Sequence, residues 1–234
     1  GGMARLGGSW VERAADWRNG TFSDNRAGRN GGGLYASDSE RKDTFDMEHC
    51  NFLRNTAGQK GGGAFLMPNR FAIGSAIKII GCNFEENWGA GTQGADLNVF
   101  TNLFAYLNHL TMDSCVFKNN LNIQGTNVKT FIEIVGITNT SFQVEPFKIQ
   151  NCIFNNLSGY SSGLFQCELI DAPEVRFEHN TFLNNAGVGK LLAISHSLSA
   201  CFLNTTIFNN SRNWVGVIHI PNVRIINMVN GTNG

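Results

Sequence analysis

A phenylalanine followed three residues later by asparagine, and then by a run of glycines, returns along this chain at a nearly fixed interval. The first copies read Phe22-Ser23-Asp24-Asn25 before Gly31-Gly32-Gly33, and Phe52-Leu53-Arg54-Asn55 before Gly61-Gly62-Gly63. Taking Phe22, Phe52, Phe84, Phe117, Phe154, Phe182 and Phe208 as anchors gives intervals of 30, 32, 33, 37, 28 and 26. Self-similarity at such a period marks a repeat architecture, in which each unit buries its apolar face only against its neighbours.

The residues around each anchor decide which repeat it is. Two residues before the phenylalanine stand Cys50, Cys82, Cys115 and Cys152, replaced in the other copies by Gly20, Asn180 and Thr206. Three residues after it stand Asn25, Asn55, Asn87, Asn120 and Asn185, while Leu157 and Ser211 take that place after Phe154 and Phe208, with Asn156 and Asn210 one position earlier. A second anchor follows at Gly33, Gly63, Gly94, Thr130, Gly163, Lys190 and Gly216. Cys-x-Phe sets two apolar side chains on one face of a strand, as do Ala76-Ile77-Lys78-Ile79-Ile80 and Phe131-Ile132-Glu133-Ile134-Val135. Helical repeats need an apolar i, i+3, i+4, i+7 pattern that is absent, and propeller blades need about 40 or more residues each. The spacing predicts an all-β, right-handed parallel β-helix of about seven to eight coils, one domain over residues 1–234, cut from a longer repeat protein. Equivalent residues should then form ladders of Phe, Cys and Asn, the asparagines tolerating left-handed turn geometry and able to bond their own turn and the next coil's backbone or amide, with the glycine pairs supplying positive φ.

Composition narrows the partners. Lys+Arg and Asp+Glu balance at 18 each and only 15% of residues are charged, so neither a nucleic-acid footprint nor a polybasic lipid-binding face is expected. No apolar run approaches the length of a membrane span, and the first residues show no signal-peptide pattern.

Phe22-x-x-Asn25-x-Ala27 before Gly31-Gly32-Gly33-Leu34-Tyr35, and Phe52-x-x-Asn55-x-Ala57 before Gly61-Gly62-Gly63-Ala64-Phe65, resemble the repeats of the polymorphic outer membrane proteins. Those repeats combine Phe-x-x-Asn with Gly-Gly-Ala-aliphatic. The resemblance covers residues 1–97 and fades into an ordinary pectin-lyase-like pattern from Phe131 onward. It implies an extracellular or cell-surface passenger with a structural or adhesive role, and the partners expected are host or cell-surface proteins or glycans, with adjoining coils of the longer protein or neighbouring subunits packing against it.

Side chains that might carry chemistry have simpler readings. The six cysteines, Cys50, Cys82, Cys115, Cys152, Cys167 and Cys201, lack metal-ligand spacing. Four share one ladder position, where they read as buried thiols behaving as small hydrophobes, with disulfides between rungs as the alternative. His49, His109, His179, His196 and His219 pair with no nucleophile, and His49 and His179 read as solvated strand residues. Glu40, Asp43, Asp46 and Glu48 form a mixed-charge stretch with Arg41 and Lys42. Neither a catalytic set, a cofactor nor a metal is expected. The best candidate for a ligand-facing surface is an outward column of Glu133, Gln166 and His219, flanked by inward isoleucines. Insertions at 122–127 and 138–147, and the excursion 99–104, offer contact loops or core filling. Sequons at Asn19, Asn139, Asn156, Asn204, Asn209 and Asn230 permit glycans in a secreted protein. Two other classes stay open beside the scaffold: a carbohydrate-binding or carbohydrate-active β-helix, and a subunit stacking end to end into filaments.

Overall fold

The computed structural model describes residues 2–6, 13–38, 43–67, 75–89, 97–100, 107–120, 128–137, 146–170, 174–187, 190–195, 199–208, 210, 215–218, 222–226 and 229–230. The described residues form strands joined by turns and bends, and every pairing between strands is parallel. The chain is a parallel β-helix. Strands from successive coils stack into long sheets. One sheet runs from Gly2–Leu6 through Leu34–Asp38 and Ala64–Met67 to Val215–Ile218, and is called here sheet one. Sheet two runs from Arg13–Arg18 through Asp43–Glu48 and Ser75–Ile80 to Asn222–Ile226. Sheet three is built from three-residue strands, beginning with Thr21–Ser23, Asn51–Leu53 and Asn83–Glu85, and ends at Val229–Asn230. A small fourth sheet joins Arg26–Ala27, Thr56–Ala57 and Trp88–Gly89.

The core is a set of columns running along the coil axis. On sheet three Phe22, Phe52, Phe84, Phe117, Phe154 and Phe182 stack nearly parallel, with ring centroids 4.5–5.4 Å apart. Coils stack at the strand spacing of about 4.8 Å, which also suits offset ring stacking, so the backbone repeat sets the ring geometry. The column continues at Ile207, which pairs with Phe182, while the backbone of Phe208 pairs with Leu183. This corrects the anchor expected at Phe208 by one residue. The shift also places Thr205 in the cysteine column and Asn210 in the asparagine column. Leu157 occupies the asparagine column in its own coil and is fully buried, while Asn156 points out to solvent.

Buried asparagine amides join the coils. The Asn55 Oδ1 accepts from the backbone N–H of Asn25 at 3.1 Å and from its Nδ2 at 3.0 Å, and the Asn55 Nδ2 donates to the Phe22 carbonyl at 2.7 Å. Asn87 repeats the pattern on Asn55 and Phe52, and Asn210 repeats it on Asn185 and Phe182. These asparagines do not use the left-handed conformation that asparagine tolerates. Positive φ falls instead on the residue just before, at Asp24, Arg54, Glu86, Asn119, Asn156 and Asn184, and on a second corner at Asn19, His49, Gly81, Ser114, Asn151, His179 and Asn204. His49 and His179 are therefore corner residues and not strand residues. Each corner turns the chain from one sheet toward the next, and the ladder asparagine bonds backbone and amide groups of the preceding coil next to the corner it follows.

The glycine triple divides its work. Gly31 and Gly61 hold positive φ, at 69° and 64°. A Cβ on Gly32 would collide with the carbonyl oxygens of Gly62 and Thr56 in the next coil, so this position needs glycine for close approach of backbones.

Candidate functional site

The cysteine column shows what its position requires. Cys50, Cys82, Cys115 and Cys152 are fully or almost fully buried free thiols, and Cys201 is a half-buried free thiol. Each of the four donates S–H toward the carbonyl of the residue two before it and toward a carbonyl of the preceding coil: Trp17, Met47, Ile79 and Met112 respectively. Asn180 and Thr205 occupy the same column and do the same, donating to Ile149 at 2.7 Å and to Phe177 at 3.3 Å. The shared property is a compact side chain with a donor. The thiols thus have a polar role beyond that of small hydrophobes, and burial pushes the Cys115 thiol well above its ordinary pKa. The backbone of Cys167 pairs with Ile134 in a different column, on sheet one, and its side chain lies outside the described residues.

The column expected to face a ligand is only partly assembled. Glu133 pairs with Gln166, Gln166 with Ala193, and Ala193 with Gly216. Gly216 therefore holds the place assigned to His219, which lies outside the described residues together with the side chain of Gln166. The late coil is shorter than the anchor spacing implied, which moves the register by three residues. Nor does Glu133 face solvent. It is 1% exposed, and its carboxylate meets the Lys60 ammonium at 3.6 Å, from a turn two coils earlier. The same outward column carries Tyr35 stacked on Phe65 at 5.4 Å, and Phe65 is 4% exposed. Sheet one is thus buried on both faces around Phe65 and Glu133, and strict apolar–polar alternation misread it.

Two constellations come together that the sequence reading did not assemble. Asp16, Asp46 and Lys78 occupy consecutive places in one outward column of sheet two, with Arg18 and Glu48 in the next column. Arg18 binds Asp16 at 2.9 Å and Glu48 at 3.6 Å. Burial raises the Asp46 carboxyl above its ordinary range, Lys78 opposes this, and Asp16 and Glu48 add to it. Asp46 Oδ1 is buried without a hydrogen-bond partner. The second constellation is an open groove of about 420 Å³ on the fourth sheet, lined by Arg26, Gly28, Thr56, Gly58 and Trp88 with the alanines between them. The Trp88 Nε1 is buried and unpaired. The anchor intervals of 30 and 32 residues were sufficient to find both, since they carry Asp16 to Asp46 to Lys78 and Arg26 to Thr56 to Trp88.

The remaining candidates scatter. Asp43 lies in sheet two with its side chain outside the described residues, and so do Glu40, Arg41, Lys42 and His196 as whole residues. His109 contacts the Thr111 hydroxyl at 3.0 Å. Asn19, Asn156 and Asn204 stand exposed on positive-φ corners, the last with its Nδ2 3.1 Å from the His179 Nε2. Asn139 and Asn209 lie outside the described residues, and Asn230 is placed only by its backbone pairing with Ile207. The insertion at 122–127, most of 138–147 and residues 101–104 of the excursion are also outside them. Among the described residues no group of three or more His, Cys, Asp or Glu side chains is arranged to hold a metal ion, and no helix is long and apolar enough to cross a membrane. Comparison with known proteins yields no matching family model, no matching curated protein and no matching solved structure.

Proposed function

We propose that this chain is a structural or adhesive β-solenoid of the extracellular space or cell surface, a rigid element that presents its flanks and corner residues to protein or glycan partners and catalyses no reaction itself. The observation that carries this reading is the use of its regular polar residues. The buried asparagines and the Cys, Asn and Thr donors are bonded to neighbouring coils, so they serve stacking. The likeness of Phe-x-x-Asn and Gly-Gly-Gly to polymorphic outer membrane protein repeats supports the surface location, and exposed Asn19, Asn156 and Asn204 suit glycan attachment. The test is to present the purified chain to immobilised glycans and cell-surface extracts while assaying the same sample for cleavage of acidic and neutral polysaccharides. Saturable binding without product is expected, and turnover that disappears in K78A would overturn the reading.

A second reading rests on one observation. The Asp16, Asp46 and Lys78 column, with the Asp46 carboxyl raised by burial, is the arrangement a carbohydrate-active β-helix would need on adjacent coils. Arg18 already neutralises Asp16 and reaches Glu48, which favours a self-compensated surface over a catalytic groove.

A further inference from the structure

Coils are not stacked equally closely along the solenoid. Between the fourth coil, which carries Phe117, and the fifth, which carries Phe154, all three interior columns loosen together. The Phe117 and Phe154 ring centroids stand 5.4 Å apart, against 4.7 Å for Phe84 and Phe117 and 4.5 Å for Phe154 and Phe182. The Cys152 thiol lies 3.8 Å from the Met112 carbonyl, where Cys50, Cys82 and Cys115 reach theirs at 3.2, 3.5 and 3.2 Å. In the asparagine column Leu157 has no side-chain amide to offer. Asn120 before it and Asn185 after it each accept a backbone N–H and donate to a carbonyl of the preceding coil.

Main-chain bonds at the corners follow the side chains. The Ser158 N–H meets the Asn120 carbonyl at 3.2 Å, compared with 2.8 Å for Trp88 on Asn55 and 2.9 Å for Ala186 on Leu157. The Ser114 N–H meets the Gln150 carbonyl at 3.1 Å, compared with 2.8 Å for Gly81 on Asp113 and 2.9 Å for Asn151 on Glu178. Asn119 reaches Asn155 at 3.2 Å, a lengthening that begins one coil earlier with Glu86 on Lys118 at 3.3 Å, while Ile153 keeps the usual 2.9 Å to Cys115. Sheet two is also narrow here, with three residue pairs across the junction against six at the junction before and four at the one after. Sheet one does the opposite. Val128–Ile137 and Ser158–Ile170 share eight pairs, against four at the junction before and five between Ser158–Ile170 and Lys190–Ser195 after it.

We propose that the junction between the fourth and fifth coils is a hinge, at which the coils on either side part along sheets two and three while sheet one holds them together. In a solenoid each coil is stabilised by its own residues and by its two neighbours, so local opening begins where the neighbour contacts are weakest. The long pairing on sheet one opposes complete separation, which leaves bending as the motion of lowest free energy. Opening draws Phe117 away from Phe154 and brings the buried thiols of Cys115 and Cys152 to solvent. Coils on either side remain closely stacked, so the rod bends at this one place. The hinge follows from coil stacking and does not depend on the adhesive reading.

The native thiols report the opening, because a buried thiol reacts only when it is uncovered. Under native conditions iodoacetamide, with the sites located by peptide mass spectrometry, should modify Cys115 and Cys152 at least about tenfold faster than Cys82, which is equally buried one coil away. L157N restores the missing link and should slow both sites about fivefold while leaving Cys82 unchanged. Amide exchange in the parent chain separates a hinge from a full break. The N–H groups of Ser114, Asn119 and Ser158 should exchange at least about tenfold faster than the sheet-one amides of residues 132–137 at the same junction. Equal alkylation of Cys82, Cys115 and Cys152, or alkylation that L157N does not slow, overturns the proposal in favour of a uniform rod. Sheet-one amides at 132–137 that exchange as fast as Ser158 overturn it in favour of complete separation.

Discussion

The first three coils and the later ones solve one stacking problem with different residues. In the early coils two columns are uniform, phenylalanine at 22, 52 and 84 and asparagine at 25, 55 and 87, and the third has cysteine at 50 and 82 after Gly20. In the later coils Leu157 replaces an asparagine, Asn180 and Thr205 replace cysteines, and Ile207 replaces a phenylalanine. The substitutions that preserve a function are silent in the fold, because Asn180 and Thr205 still donate to the preceding coil's carbonyl. The one that does not leaves a gap. With Leu157 in the column, the backbone N–H of Asn120 has no side-chain acceptor in the next coil among the described residues, whereas those of Asn25, Asn55, Asn87 and Asn185 each have one. A column is therefore defined by the bond it must make and the volume it must fill, and residue identity is the looser constraint.

The most severe way to break this contrast is to remove the ring at Phe84, which stacks on both Phe52 and Phe117. F84A should cost about 3–5 kcal/mol in denaturant unfolding, from lost burial and an unfilled cavity. I207A should cost less, about 2–4 kcal/mol, because the side chain removed is smaller. Equal losses would mean that ring stacking contributes nothing of its own.

Next comes the exchange of asparagine for leucine in each direction. N87L abolishes the acceptor of Asn55 and the donor to Phe52, and should cost about 2–4 kcal/mol because buried backbone groups lose partners. L157N should stabilise by about 1 kcal/mol by restoring the missing links to the coil before it. The same sign for both variants would refute the bonding role of the column.

The donor column predicts a smaller effect. C115T keeps a donor toward Ile79 and should stay within about 1 kcal/mol of the parent, while C115V, of similar volume but without a donor, should fall below C115T by about 1 kcal/mol. If valine proves the better replacement, the thiols are packing groups alone.

Surface charge gives the smallest effect and a signed pH dependence. The Asp46 carboxyl is raised by burial, so the folded state binds its proton more tightly than the unfolded chain. Stability then falls as pH rises from about 4 through the raised value, and D46N should remove that loss. Asp113 behaves oppositely. Burial works to raise it, but hydrogen bonds from Asn151, Gln150 and Ser114 together carry it below its ordinary value. Its contribution is present above about pH 4 and is lost as pH falls through the lowered value, so D113N should be destabilising at neutral pH. Each effect should stay below about 1 kcal/mol at these partly exposed positions, and a reversal of either sign in unfolding curves against pH would contradict the assignment.

Much of the fold was legible because a stacked coil must repeat. Phe22, Phe52 and Phe84 with their asparagines and glycines were enough to infer parallel coils, and the same intervals locate the Asp16, Asp46 and Lys78 column. Legibility failed where the rule is set by bonds that a sequence does not display. Phe208 looked like the anchor by residue type, but the asparagine bond of Asn210 fixes Ile207 there. Glu133 looked solvated because it is charged between isoleucines, but it is buried with the Lys60 ammonium reaching it across two coils. Propensity lets the ladder asparagines take left-handed geometry, but they do not use it. It belongs to their neighbours, among them Arg54 and Glu86, which propensity does not favour there.

Amide hydrogen exchange, read residue by residue, tests the column account most directly. The N–H groups of Asn55 and Asn87, each bonded to the asparagine of the next coil, should be strongly protected, while that of Asn120 should exchange much faster and become protected in L157N. Equal protection at Asn87 and Asn120, unchanged by L157N, would contradict the claim that buried asparagines hold one coil to the next.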